Sequence, residues 1–376
     1  LAQEIILDKA GTGKTDKFVT VKKDSPEFQK YLENRATNFR AVPVESQNIN
    51  TELEIVTFEL KEMSEFAAIT WKQKIVPLLK LNKFLYFFFP VFYVVTTSWL
   101  HAYEVDALTL LLSWLSVTFL FLAVNLRADY IDHMIGLDRI LKKTATKPVS
   151  LGWVSAYKVK QFSYVFFVAS VALGIPIVIA FPITLLAMAC ATVIIFWAVL
   201  RQRQSFRSHL FGDLGWSLLL GPILSVGFEL SIRGASTLQT LMFGFVWGVV
   251  VFYRIQLQNF EVIMEASVAK IKNGITWLGF DKGKELIIGL WGASVALFAV
   301  FHLIYSHWLY WISTVVLCAI FTYRSRTTYQ NLKSPLGSEM GLFIKDFHQL
   351  YVLLTVLWAV SLSFLFVVQI FAKVLG

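Results

Sequence analysis

The stretch from Asn125 to Arg139 (NLRADYIDHMIGLDR) gathers three aspartates, Asp129, Asp132 and Asp138. Asp129 and Asp132 are three apart, so on a helix they project from one face, and Asp138, beyond Gly136, can fold back toward them. The stretch closes a long apolar run, which puts the carboxylates at the mouth of a membrane bundle. Left dry there, they repel one another at a cost of several kcal/mol. A divalent cation would remove that cost. Hard oxygen ligands suit Mg2+, which completes its shell with water and substrate phosphates. The plainer alternative is a solvated loop balanced by Arg127, Arg139 and the nearby lysines, and spacing alone leaves both open.

The elements that carry these residues are membrane helices. Hydrophobic residues make up 56% of the 376 positions and charged residues 16%, with 33 Phe and 12 Trp. A soluble domain needs more charge to hydrate its surface. Beyond residue 83 the apolar residues fall into nine runs, 83–103, 107–126, 157–179, 181–200, 213–232, 238–257, 285–305, 307–323 and 350–372. Each is close to the length that crosses a hydrocarbon core. Lys and Arg collect before the first run and after the second, fourth, sixth and eighth, while the alternate connections hold only Arg233 and Lys373. That asymmetry predicts a cytoplasmic N-terminus, an outside C-terminus and loops 127–156, 201–212, 258–284 and 324–349 on the cytoplasmic face of an inner or plasma membrane. The net charge of +9 therefore reads as topology and not as a nucleic-acid surface. Cys190 and Cys318 lie far apart inside apolar runs, against a disulfide framework or a thiolate metal site. Residues 1–80 read as a polar cytoplasmic extension without a signal-peptide pattern, with strands expected at 18–21 and 51–60. Gly11-Thr12-Gly13-Lys14-Thr15 resembles the end of a phosphate loop, but Asp8 stands where its first glycine is required. The predicted fold class is thus an all-α polytopic membrane protein, a nine-helix bundle over 81–376 with a small polar N-terminal segment.

The pattern Asn-Leu-x-x-Asp-Tyr-x-Asp-x-x-x-Gly-x-Asp at 125–138 resembles the first aspartate-rich motif of the UbiA superfamily of membrane prenyltransferases. It is nearest the branch that prenylates dihydroxynaphthoate in menaquinone synthesis. Lys147-Pro148 through Gly152 to Ser155 resembles the Arg-Pro-x-x-x-Gly-x-x-Ser segment entering the third helix. Phe211-Gly212-Asp213 with Gly221-Pro222 resembles the opening of the fifth. The resemblance covers roughly residues 83–372 in the right order. It implies Mg2+ held by two carboxylate clusters, gripping the diphosphate of an allylic prenyl donor while a lipophilic acceptor attacks the allylic cation. The prenyl tail would lie in a groove open to membrane lipids. By position, Asp129, Asp132 and Asp138 would hold the first metal and carry catalysis. Lys147, Arg201, Arg203 and Arg207 would hold diphosphate oxygens, with ordinary positive-inside topology as the alternative.

The second motif departs from the family. Asn273-Gly274-Ile275-Thr276 matches its end, but Gln256, Gln258, Asn259, Glu261 and Glu265 stand where aspartates are expected. Glu261 and Glu265, four apart, are predicted to share a helical face and to serve as longer-armed metal ligands opposite Asp129 and Asp132. Two functional readings follow. One is an active, divergent prenyltransferase. The other is an inactive lipid- or quinone-binding scaffold in a membrane complex, with the N-terminal segment binding a protein partner. A transporter would show internal repeats or broken helices at mid-membrane, of which Gly174-Ile175-Pro176 and Gly221-Pro222 are the only hints. Tyr157, Trp247, Phe252 and Tyr253 are candidates for stabilising a cation through their π faces, with lipid-facing packing as the alternative.

Overall fold

The computed structural model describes residues 17–35, 38–79, 81–100, 106–140, 147–181, 186, 189–190, 210–305 and 309–375. The GTGKT stretch, Arg201, Arg203, Arg207 and most of the 181–200 run lie outside the described residues.

The N-terminal segment folds as a small α/β unit. Strands β1 (Phe18–Lys22), β2 (Phe39–Gln47) and β3 (Ile55–Glu62) form an antiparallel sheet in the order β1-β3-β2, with helix α1 (Pro26–Leu32) packed on it. Alternation turns Val21, Val56 and Phe58 inward, where they meet Phe28 and Leu32 of α1. Ser25 starts α1 by accepting the Glu27 N–H, and Pro26 follows where its missing donor costs nothing. The strand expected at 18–21 is β1, and the one expected at 51–60 begins later, at Ile55. Strand β2 escaped the sequence reading because its pairing with β3 shifts register between Pro43 and Glu45. A proline without an N–H and a bulge together erase the two-residue period.

The remainder is helical: α2 (Trp71–Leu79), α3 (Leu81–Leu100), α4 (Ala107–Met134), α5 (Leu137–Ile140), α6 (Ala156–Ala180) and α7 (Leu210–Leu218). A π-helical turn at Leu219–Ile223 leads into α8 (Leu224–Arg233), followed by α9 (Leu238–Glu261), α10 (Ile263–Val268), α11 (Gly274–Tyr305), α12 (Leu309–Asn331) and α13 (Ser338–Leu375). Among the described residues six helical stretches are long and apolar enough to cross a membrane: 107–134, 156–180, 212–233, 238–261, 274–305 and 338–360. Helices also cover residues 83–100 and 309–323 of two further predicted runs. The core is aromatic. Tyr93 stacks on Phe243 with ring centroids 3.6 Å apart, and Trp358 lies edge-on to Phe243 and Phe298.

One helix contact sets the register of the site. Gly221 and Pro222 in the π turn press against Gly244 and Gly248 of α9. A Cβ on Gly244 would stand 2.5 Å from Pro222 Cα, and one on Gly221 would stand 2.6 Å from Gly248 Cα. Small residues four apart let two membrane helices approach to backbone contact. Gly244→Ala is therefore expected to lower stability by about 1–3 kcal/mol through overpacking, read as a lower melting temperature in detergent micelles. Gly289→Ala, where an added methyl meets nothing within 4 Å, should leave it unchanged.

Candidate functional site

Helix α4 starts at an Asp106 cap, whose carboxylate accepts the Thr109 N–H at 2.7 Å, and runs unbroken to Met134. Asp129 and Asp132 therefore do share a face, and both are buried. Gly136, at φ +85°, reverses the chain so that Asp138 on α5 returns to them. Lys147 Nζ lies 2.5 Å from Asp138 Oδ1, 3.3 Å from Asp132 Oδ2 and 3.7 Å from Asp129 Oδ1. One ammonium thus sits amid all three expected carboxylates. Burial opposes the charge on Lys147, but the three carboxylates outweigh it and hold its pKa above the ordinary lysine range. Burial, reinforced by the charges of Asp132 and Asp129 and opposed by Lys147, pushes the Asp138 carboxyl up to about 6. Its Oδ2 is buried without a hydrogen-bond partner.

A second polar cluster lies on α7 and α9. Asp213, fully buried, accepts hydrogen bonds from Gln256 Nε2 and Asn259 Nδ2, both at 2.9 Å. Asp213 precedes Gly221 by eight residues and Gln256 follows Gly248 by eight, so the glycine contact and this cluster share one antiparallel register. In the sequence Asp213 stands within a motif, with nothing local to pair it. The two amides at acidic motif positions were the available signal.

The expectation for Glu261 and Glu265 needs correction. Glu261 ends α9 in an exposed position, Val262 leaves helical geometry at φ −109° and ψ 24°, and Glu265 lies on α10. A rule for residues four apart does not survive that break, so the two do not share a helical face. Of the polar residues at the second motif's positions, Gln256 and Asn259 are the buried ones. Among the described residues no three His, Cys, Asp or Glu side chains converge as a ready-made metal cage. Asn273 and Thr276 form a reciprocal cap on α11, with bonds of 2.8 and 2.9 Å, which gives the Asn-Gly-Ile-Thr stretch a structural role. Trp247 is sealed in the core, and Tyr253 is buried with its hydroxyl donating to Phe347 O at 2.6 Å.

Below both clusters opens a cavity of about 670 Å3, lined by Leu120 and Val124 of α4, Ile177 of α6, Trp216 of α7 and Phe228 of α8, among other largely apolar residues. Val124 lies five residues before Asp129, about 7.5 Å along the helix, and Trp216 one turn beyond Asp213. Such a space suits an apolar chain whose polar head meets the aspartates.

These features define an integral membrane protein with a buried polar site at one end of a helical bundle. Solved structures share the fold. A UbiA homologue from Archaeoglobus fulgidus bound to GPP and Mg2+ superposes with a TM-score of 0.53 at 15% identity, over 77% of this chain and 99% of that one. The same homologue bound to DMAPP and Mg2+ gives 0.51 at 16% identity, over 77% and 99%. A digeranylgeranylglyceryl phosphate synthase gives 0.53 at 15% identity, over 76% and 96%. The fold is therefore that of the UbiA proteins, as the motifs implied. No protein-family model matches the sequence, and no curated protein does.

Removing the ammonium tests the first cluster. Lys147→Met strands three carboxylates; because 24% of the lysine side chain is exposed, the expected loss is about 3 kcal/mol, at the low end for a broken buried pair. The Asp138 pKa is raised, so its contribution to stability is full below the ordinary carboxylate range and is lost as pH rises through about 6. The deficit of Lys147→Met should thus be smaller at pH 5 than at pH 8 in paired thermal-unfolding curves, whereas Lys147→Arg should keep most of the stability.

Proposed function

We propose that this protein is a Mg2+-dependent membrane prenyltransferase. It would transfer a prenyl group from an allylic prenyl diphosphate to an aromatic or other lipophilic acceptor. The observation that carries this reading is the buried carboxylate cluster on the helix that also lines an apolar cavity, an arrangement that would suit a chain with an anionic head once a divalent cation offsets the cluster's negative charge. It is supported by the likeness to structures bound to GPP or DMAPP with Mg2+.

The donor types fit the metal, though the three carboxylates are drawn about the Lys147 ammonium and do not form a ready-made cage. Asp129, Asp132 and Asp138 offer oxygen donors only, already gathered about one cationic centre, and Asp138 Oδ2 lacks a partner. Mg2+ would supply charge neutralisation for the departing diphosphate. Lys147 would share that diphosphate with Arg201, Arg203 and Arg207, its ammonium held ready by the aspartates. Asp213, fixed by Gln256 and Asn259, adds a second anionic point, and Glu261 and Glu265 would add carboxylates from the mouth. The cavity would hold the tail away from water, and its apolar walls would shield the allylic cation from early quenching. The motif's nearness to the dihydroxynaphthoate branch supports an aromatic quinone precursor as acceptor. The basic loops support a cytoplasmic site, with the N-terminus on that side and the C-terminus outside.

One observation favours a second reading, a silent lipid- or quinone-binding scaffold. The inward-facing residues of the second motif are neutral amides committed to Asp213. Incubating the purified protein with labelled allylic diphosphates and Mg2+ decides between the two. Diphosphate release is expected, lowered about 100-fold or more by Asp129→Ala, because the leaving group loses its charge partner. Glu261→Ala should also impair turnover, and unchanged activity would remove Glu261 and Glu265 from the metal set. No release with any allylic diphosphate, together with a copurifying lipid or partner, would favour the scaffold.

A further inference from the structure

The N-terminal unit is bolted to the back of the aspartate segment. On α4 two pairs of residues three apart are offset by one position, and so project about 100° from each other. Asp129 and Asp132 meet Lys147. Tyr130 and His133 meet the N-terminal unit, where the Tyr130 hydroxyl donates to Glu33 Oε1 at 2.6 Å and His133 Nε2 bonds Leu32 O at 2.9 Å. Glu33 is fully buried and also receives Arg35 Nε at 2.5 Å and Gln29 Nε2 at 3.1 Å.

The same residues start α6. Its N-cap, Ser155, makes no cap bond within the helix, and its hydroxyl donates instead to Glu33 O and Asn34 O at 2.9 Å. The Tyr157 N–H, one of the first-turn donors without an intrahelical acceptor, donates to Glu33 O at 3.0 Å. Glu33 therefore fixes both helices between which the Lys147 segment runs.

Glu54 holds the other side. It pairs with Arg139, the residue after Asp138, and both side chains are 2% exposed. Arg139 Nη1 in turn donates to His133 O at 3.1 Å. Gly136 lies so close to this contact that a Cβ there would meet Ile49 Cγ2 at 2.5 Å. The β2–β3 loop also reaches the segment after α10, where Asn50 Nδ2 donates to Ala269 O at 3.1 Å.

We infer that the N-terminal unit is a brace for the polar site, in which Glu54 positions Asp138 through Arg139 and Glu33 positions Asp129 and Asp132 through Tyr130 and the start of α6. Neither glutamate belongs to the ligand set proposed above. The brace rests on that reading only for what the braced site binds.

The test uses the full chain in detergent micelles, with Mn2+ as a paramagnetic stand-in for Mg2+. Glu54→Gln removes the charge that holds Arg139 and keeps the shape, while Glu54→Asp keeps the charge. Glu54→Gln should raise amide exchange across residues 134–140, leave residues 243–257 in the core unchanged, and weaken Mn2+ binding, followed by electron paramagnetic resonance, tenfold or more. Glu54→Asp should restore most of the affinity. Unaltered exchange at 134–140 with affinity within twofold of wild type would reduce the unit to a passive attachment and overturn the brace. A rise in exchange throughout, 243–257 included, would show general destabilisation and overturn it equally. If the wild type binds no Mn2+, the metal reading of the site fails, and the exchange measurement alone still decides the brace.

Discussion

One ammonium among three buried carboxylates is the contact around which the rest of this molecule is arranged. In a bundle bounded by lipid, each aspartate is costly without a counter-charge, and three together cannot stand. Lys147 resolves the conflict only if the chain returns from α5 to the foot of α6 at the right place. That return depends on a left-handed glycine at 136, on the pairing of Arg139 with Glu54, and on an α6 start fixed from outside by Glu33. The site is thus made by the turn after α4 and the approach to α6, and the N-terminal unit contacts both through Glu54 and Glu33. Buried ion pairs are weak evidence for net stability. Their value here is specificity, since each charge accepts few positions in which its partners are complete.

The second half of the bundle solves its polar problem differently. Asp213 is held by two neutral amides, and its position is set eight residues away, where Gly221 and Pro222 touch Gly244 and Gly248. Close backbone contact between antiparallel helices leaves little freedom to slide, and side chains two turns on inherit that register. The two clusters are therefore anchored by unlike means, charge neutralisation at one and steric register at the other. The apolar cavity lies between the helices that carry them.

Much of this was written in local spacing, and the remainder was not local at all. The three-residue interval of Asp129 and Asp132, with Gly136 ahead of Asp138, was sufficient to place a carboxylate cluster, because α4 runs unbroken through it. The same logic failed for Glu261 and Glu265 because α9 ends between them at Val262, a break with no Pro or Gly to announce it. Strand β2 was hidden by Pro43 and its bulge. Glu33 and Glu54 carry no local signal, since their partners Tyr130 and Arg139 lie 97 and 85 residues away and periodicity cannot see so far. Lys147 was found, but as a ligand for diphosphate; its role as counter-ion to the triad emerges only when Asp138 folds back.

Charge balance connects these observations to the proposed chemistry. With its aspartates ionised, the first cluster carries three negative charges against one positive, a deficit that a single divalent cation would cancel. Burial, more than the neighbouring carboxylates, raises the Asp138 pKa, and a proton taken up there would remove one of the three negative charges. The second cluster adds only Asp213, a single charge whose Oδ2 receives both amide donors, so it exerts less demand for a cation of its own than three carboxylates do. On the proposed reading, the chain is therefore built to bind one metal strongly beside Lys147. The remaining charge of a diphosphate would fall to fixed cations, with Lys147 already in place beside the metal site. An enzyme of this design would depend less on a second metal than one with aspartates at both ends. A scaffold of the same design would still need a cation at the first cluster before that cluster could hold the anionic head of a lipid.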